Sequence, residues 1–572
     1  MIDDFQVMGG NPSALFTLKV HRGDGMALLG MNWRKGRPPD DFVGFAIEYK
    51  EPEGDRFYAL KNRICFPGPD GAVNPNRLST RLSPIQKFRW IHFPRNPDLP
   101  GLFVYRVTPV FMNGLDELSY GESQEAAVAL ARETYPGRLN VTFTRGFVSS
   151  QGFVDRYETK GHGLKTLLPA KNADGLDFTP THPKAKEALA WMGFEARHAI
   201  LEVLDEAIAD TKANVRVVAY DLSEREVVLR LVRLKTRLQI IIDDSGEHGE
   251  ETSAESEAAR RLATAGAAVR RQHMGSLQHN KTIVVDGPRT KAVVCGSTNF
   301  TWRGFFVQSN NALVLRGTTP VRIFGRAFDE YWKSDKAADF GASSSAAWNA
   351  LRLRGVTVKV AFSPHSASNA LLQTIADDIG RTKSNFLYSL AFLAQTTGAI
   401  RDVITRLSKD KKIFVYGIAD RKVGGLELLD PDGNVSPVFP AALSGNLPEP
   451  FKSEPTGLSG GVGTRMHHKF VVIDFDRATA RVYLGSYNFS TPADRKNGEN
   501  LLLITDRRVA VSYMIEALRM FDHYHFRVAQ SEAKTARRKL QLRRPPRKAG
   551  EEPWWLEDYT EARKIRDRQL FS

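Results

Sequence analysis

The residues best suited to chemistry occur in two matching sets. His279, Lys281 and Asp286 are spaced as His-x-Lys-x-x-x-x-Asp, and His467, Lys469 and Asp474 repeat that spacing. Each octad runs on into Gly-Ser-x-Asn, which supplies Ser297 and Asn299 after the first and Ser486 and Asn488 after the second. One octad is a weak motif that chance can supply, whereas two copies with the same trailing signature are a strong one. Imidazoles can attack, donate a proton or accept one near neutrality. Ammonium, hydroxyl and amide groups add positive charge and donors, a set that matches the dispersed charge of a tetrahedral phosphate. No carboxylate cluster accompanies the motifs to hold Mg²⁺, and paired lysines can do the electrostatic work of a metal. The expectation is metal-independent chemistry with no cofactor.

Groups split between two distant segments need a fold that brings the segments together. From about residue 196 the pattern alternates amphipathic helices with buried strands: Phe194–Ala209 and Glu224–Leu234 read as helices, Val215–Tyr220 and Leu238–Asp243 as strands. Thr252-x-x-Glu255 predicts a capping box opening a helix that runs to about Gln272. The succession then returns. Thr211-Lys212-Ala213-Asn214 and Thr382-Lys383-Ser384-Asn385 lie 171 positions apart (382 − 211), and the motif histidines 188 apart (467 − 279). The difference of 17 (188 − 171) predicts an insertion in the second copy, placed in the Pro- and Gly-rich stretch 430–463. The expected fold class is α/β, with two pseudo-twofold-related αβα halves at 196–345 and 346–530 forming one catalytic core.

Residues 1–145 alternate with period two, as in Val43–Lys50, Phe88–Phe93, Leu102–Val110 and Leu139–Phe143, which predicts an antiparallel all-β sandwich. Its Tyr-x-Val-x-Pro run at Tyr105–Pro109 resembles a strand of fibronectin type III modules, and either a binding or assembly role with a protein partner or a structural cap on the catalytic core is expected there. Residues 146–195 read as a connector. In 531–572, eight basic residues from Lys534 to Lys548 occur without an acid and precede Trp554 and Trp555, suiting either a nucleic-acid strand or a helix packed on the core.

Composition bounds the partners. The net charge is +15 and the pI about 9.6, which favours a polyanion. The acidic start Met1–Phe5 lacks the features of a classical secretory signal, and no apolar run has the length of a spanning helix, so cytoplasmic residence is expected. Cys65 and Cys295 are the only cysteines, which makes a disulfide framework or cysteine zinc site improbable.

With its paired octads, the chain resembles the phospholipase D superfamily over residues 195–530. The resemblance implies that one histidine attacks phosphorus to form a phosphohistidine, while the other protonates the leaving oxygen and then activates water. It also implies that Lys281, Lys469, Ser297, Asn299, Ser486 and Asn488 hold the phosphate, and that Asp286 and Asp474 brace their loops. A family carboxylate about thirty residues past the motif histidine matches Glu499, expected to orient His467. At the matching place after His279 stands Asn310, an amide that resembles the tyrosyl-DNA phosphodiesterases. On that pairing His467 is the expected general acid and His279 the nucleophile. The neighbouring His468 is expected to face away and be structural. Three functions compete: a nuclease, favoured by charge and by the basic tail; a phospholipase D, favoured by the apolar Val438–Leu443 in the insertion and by attraction of basic charge to anionic phospholipid; and a non-catalytic phosphate- or nucleic-acid-binding module.

Overall fold

The computed structural model describes residues 4–68, 75–130, 133–146, 153, 156–157, 161–393, 396–419, 466–535 and 540–572. The expected insertion and its Val438–Leu443 run lie outside the described residues. Two compact units emerge: described residues up to 130 with 511–572 form one, and those from 133 to 510 the other.

The first unit is a pair of antiparallel sheets. One contains Gln6–Met8, Phe16–Arg22, Ala27–Trp33 and Arg89–His92; the other is built on Phe42–Lys50 and Leu102–Met112. Alternation turns Phe16, Leu18, Phe45, Ile47 and Phe103 into a shared, fully buried core, as expected of a sandwich. The described part of the basic tail belongs to this unit. Trp555 is buried in that core, Trp554 stacks on Phe88 at 5.3 Å, and Arg544 and Arg547 both pair with Asp116. Of the two readings of 531–572, packing holds for these residues, on the sandwich core and without the expected helix over 540–556, and Arg544 and Arg547 pair with a carboxylate.

The second unit holds two seven-stranded sheets that share an order over six strands, each with its own further edge strand, Ala268–Arg271 in the first and Asn349–Ala350 in the second. In the first the order is Leu139–Phe143, Asn311–Arg316, Lys291–Gly296, Lys281–Asp286, Asn214–Ala219, Leu238–Ile242, Ala268–Arg271. In the second it is Asn349–Ala350, Thr357–Ser363, Glu499–Thr505, Arg481–Gly485, Lys469–Ile473, Asn385–Leu390, Phe414–Ile418. The histidine octad and Gly-Ser-x-Asn thus flank one antiparallel hairpin in each half, beside a buried parallel pair. Several differences from the sequence reading emerge. The stretch 146–195, expected as a connector, contributes Leu164, Leu168 and Met192 to the first half's core and already contains the start of the helix Ala185–Ala209, and Val511 onward groups with the sandwich rather than with the second half. Leu139–Phe143, expected in the sandwich, pairs with Asn311–Arg316 and belongs to the first catalytic half; period two is common to both settings and cannot say which sheet a strand joins. The helix after Thr252 spans only Ala254–Thr264 and is capped by Ser253, whose hydroxyl accepts from Ser256 N at 3.1 Å; Ala268–Arg271 is a strand.

Candidate active site

The two strands that begin at Lys281 and Lys469 put their histidines just outside the sheets, where both are buried. Each lysine turns back so that Nζ donates to the carbonyl of its own motif histidine, Lys469 to His467 O at 2.8 Å and Lys281 to His279 O. Aromatic rings wall both pairs. Tyr220 lies edge-on to His279 at 4.6 Å and 4.5 Å from Lys281 Nζ, while Phe392 faces His467 at 6.0 Å and Lys469 Nζ at 5.3 Å. Neither ring is marked by the motifs; each follows a buried strand by one or two residues.

The glycines of Gly-Ser-x-Asn are there for space as well as conformation. Gly296 and Gly485 have φ of +137° and +144°, and a Cβ would sit 2.6 Å and 2.2 Å from the carbonyl oxygens of Asn311 and Asn500. That approach lets Ser297 N and Ser486 N donate to those same carbonyls at 3.0 and 3.1 Å. We expect Gly485→Ala to cost about 1–3 kcal/mol from backbone strain alone, read as a lowered thermal unfolding midpoint. The serine hydroxyls accept from the backbone N of Asn311 and Asn500, both at 3.0 Å, so they hold the loops as well as facing the site.

The orienting partners are exchanged between halves. His279 Nδ1 meets Glu499 Oε2 at 2.8 Å, and His467 Nδ1 meets Asn310 Oδ1 at 2.9 Å. The expected pairing, Glu499 with His467 and Asn310 with His279, is corrected: spacing along the chain placed each partner in its own half, but the loops cross. His467 N donates to Ser309 O at 3.0 Å and Gly498 N to Leu277 O at 2.8 Å, which hooks each loop onto the opposite motif. Deeper in, Asn500 Nδ2 donates to Asn280 Oδ1 at 2.9 Å, and Asn311 Nδ2 lies 3.4 Å from His468 Nδ1. His468 is thus a buried structural residue between the halves. Asn310 is itself fixed, since its Nδ2 donates to Gly304 O at 3.0 Å and so turns Oδ1 toward His467. With Nδ1–H directed at an acceptor, each histidine leaves Nε2 for chemistry.

The motif aspartates differ. Asp474 accepts from the backbone N of Lys383 and Ser384 at 3.0 and 2.7 Å, bracing the loop shared with the first copy's Thr211–Asn214. Asp286 instead pairs with Lys291 across its hairpin. Asn299 Nδ2 donates to Asp221, a residue that no motif signals.

Burial pulls both histidines below the ordinary range. Glu499 opposes this for His279, whereas Lys469 and Lys281 push His467 further down. Burial also lowers Lys281 to about 8, against the carboxylates of Glu499, Asp221 and Asp243, and depresses Lys469. A bound phosphate favours the charged lysines, so binding takes up protons. Phosphate affinity should fall as pH rises through about 8, where Lys281 loses its proton; calorimetric titration across pH checks the sign.

A duplicated α/β core with a shared two-histidine, two-lysine cradle defines the class. The family described as "Cardiolipin synthase, PLD-like domain" matches residues 204–332 and 438–521. Those two stretches carry a phospholipase D-like domain. It is 44% identical over 48 residues to a protein named phospholipase D from Rickettsia prowazekii (strain Madrid E), and 42% over 48 residues to one from Rickettsia felis. The match covers 8% of this chain and 22% of those relatives' length. Among solved structures, the phospholipase D family member Nuc from Salmonella typhimurium is 29% identical over 24% of this chain and 87% of its own, with a TM-score of 0.21. Phosphatidylserine synthase from Haemophilus influenzae Rd KW20 is 15% identical over 57% of this chain and 83% of its own, with a TM-score of 0.40.

Proposed function

We propose that this chain hydrolyses phosphodiesters in two displacements through a covalent phosphohistidine. The observation that carries this reading is the buried pair of histidines, each held through Nδ1 by a group from the other half. His279 is the nucleophile: its Nε2 attacks phosphorus, the bond to the leaving oxygen breaks, and His467 gives that oxygen its Nε2 proton. His467 then takes a proton from water, whose oxygen attacks phosphorus and releases His279. Both imidazoles are depressed, so resting charge does not distinguish them. The deciding quantity is charge made during reaction. Phosphorylated imidazole that keeps Nδ1–H is cationic, and Glu499 faces that cation. Burial holds the proton affinity of His467 down, and Lys469 and Lys281 add to it; the substrate's negative charge offsets the two lysines and so favours loading His467 as an acid.

The favoured substrate is a nucleic-acid strand, on the net charge of +15. A phospholipid headgroup ester is the second reading, supported by the relatives named phospholipase D. Purified protein in EDTA, assayed in parallel on single- and double-stranded DNA, RNA and phosphatidylcholine vesicles, tests both. Nucleic-acid cleavage that survives EDTA is expected; complete loss in EDTA refutes the metal-free route, and lipid turnover alone refutes the nuclease reading. No helix among the described residues is long and apolar enough to cross a membrane.

A further inference from the structure

Beside the first histidine lies a cluster that the two-histidine chemistry does not use. His248 stands between two carboxylates, with Nε2 2.7 Å from Asp221 Oδ1 and Nδ1 2.9 Å from Asp243 Oδ1. A neutral imidazole has one N–H and can satisfy one acceptor; only the imidazolium donates to both. Each carboxylate has a second task. Asp221 Oδ2 accepts from Asn299 Nδ2, a phosphate-cradle amide. Asp243 Oδ2 accepts from the backbone N of Gln278 at 2.6 Å, one residue before His279. Tyr220 fills the space between, edge-on to His248 at 4.7 Å and to His279 at 4.6 Å.

The second half is built differently at this place. Ala219 pairs with Lys281 and Leu390 with Lys469, so the residues two further on, Asp221 and Phe392, occupy the same register. A ring walls one lysine where a carboxylate stands by the other.

We propose that Asp221, His248 and Asp243 form one positioning unit for the first half, a carboxylate–imidazolium–carboxylate chain that aims Asn299 and anchors the backbone entering His279. This rests on the phosphodiesterase reading above, whose phosphate cradle it serves. The imidazolium has a second effect: it occupies Asp221, which otherwise competes with phosphate for Lys281. Donor atoms of Asp221, His248 and Glu255 come within 4.8 Å of one another, a spacing a metal could use. Both ring nitrogens, however, already carry protons to carboxylates and offer no lone pair. Burial disfavours charge on His248, yet Asp221, Asp243 and Glu255 hold it up to about 11; Arg271, the facing cation, donates to the His248 carbonyl at 2.6 Å.

The test uses the full-length protein and inorganic phosphate, with affinity read by calorimetry and folding by thermal unfolding. His248→Gln should weaken phosphate binding about tenfold or more, because it leaves Asp221 uncompensated beside Lys281. Adding Asp221→Asn should recover most of that loss, whereas a merely structural contact makes the double variant at least as poor as the single. Equal affinity of wild type and His248→Gln within about twofold overturns the unit and leaves the phosphodiesterase reading standing. If wild type binds no phosphate and cleaves no phosphodiester, both fall. Stoichiometric Zn²⁺ binding that His248→Gln abolishes overturns the unit in favour of a metal site. A measurement on the wild type alone guards against a variant that does not fold: ¹⁵N-resolved spectra should show both His248 ring N–H groups up to about pH 9, and loss of either near pH 7 overturns the imidazolium.

Discussion

Replacing His279 with Ala lowers turnover of bis(4-nitrophenyl) phosphate by about 10⁴-fold or more, the scale seen when a covalent nucleophile is removed. His467→Ala behaves differently. Nitrophenolate leaves without help from an acid, so the first displacement survives, while the second loses the base that activates water. A stoichiometric burst of nitrophenol followed by a stalled enzyme is the expected trace. Quenching that enzyme and mapping it by mass spectrometry should place the phosphoryl group on His279. A burst from His279→Ala instead, with the phosphoryl group mapped to His467, would exchange the roles, and a burst absent from both variants would remove the covalent intermediate. The opposite assignment rests on the resting protonation of the histidine bonded to a carboxylate, but burial leaves His279 below its ordinary range even beside Glu499.

Glu499→Gln should be nearly as damaging, lowering kcat by about 10²- to 10⁴-fold with little loss of folded protein. The amide fills the same volume but cannot balance the cation formed when His279 is phosphorylated. Asn497 Nδ2 lies 3.3 Å from Glu499 Oε1 and holds an oxygen on that side, so the new amide presents its NH₂ to His279 Nδ1. That selects the tautomer with a proton on Nε2, the atom that must attack. The sign with pH follows. Glu499 raises the His279 pKa, so its removal shifts the acid limb of kcat/KM to lower pH. An unchanged limb with full activity would show that Glu499 only packs. Asn310→Asp is the converse: a carboxylate beside His467 raises its pKa and should extend activity of the acid toward higher pH.

Much of this site is readable in the chain because its signals are local. His279 and Lys281, or Gly485 and Ser486, are close neighbours, and duplication repeats them where chance would not. The α/β halves are readable for a similar reason, since buried strands and amphipathic helices have distinct periods. Partner choice has no such signature. Glu499 and Asn310 each follow a motif histidine by about thirty residues, and only the crossing of Ser309 and Gly498 to the opposite loops sends each to the other half. Asp243 and His248 share the loop after Leu238–Ile242 while Asp221 follows Asn214–Ala219, and no motif spacing links them; the one hint is that Asp243 directly follows a buried strand. Leu139–Phe143 carries the same alternation as the sandwich strands, so its membership in the first half rests on pairing alone. Thr252 and Ser253 are adjacent cap formers, and Glu255, expected to close a capping box, accepts instead from Leu222 N at 3.1 Å.

The crossed hydrogen bonds from His279 to Glu499 and from His467 to Asn310 carry a consequence for ancestry. Two identical half-chains assembled as a symmetric dimer would have to offer both histidines the same orienting group, because one gene would specify both. Fusion removes that constraint. Once the copies share a chain, a single substitution can convert one partner into an amide while the other stays a carboxylate, and two equivalent imidazoles become specialists. Covalent linkage is then the precondition for division of labour in this site, and neither half on its own carries a histidine with its present partner.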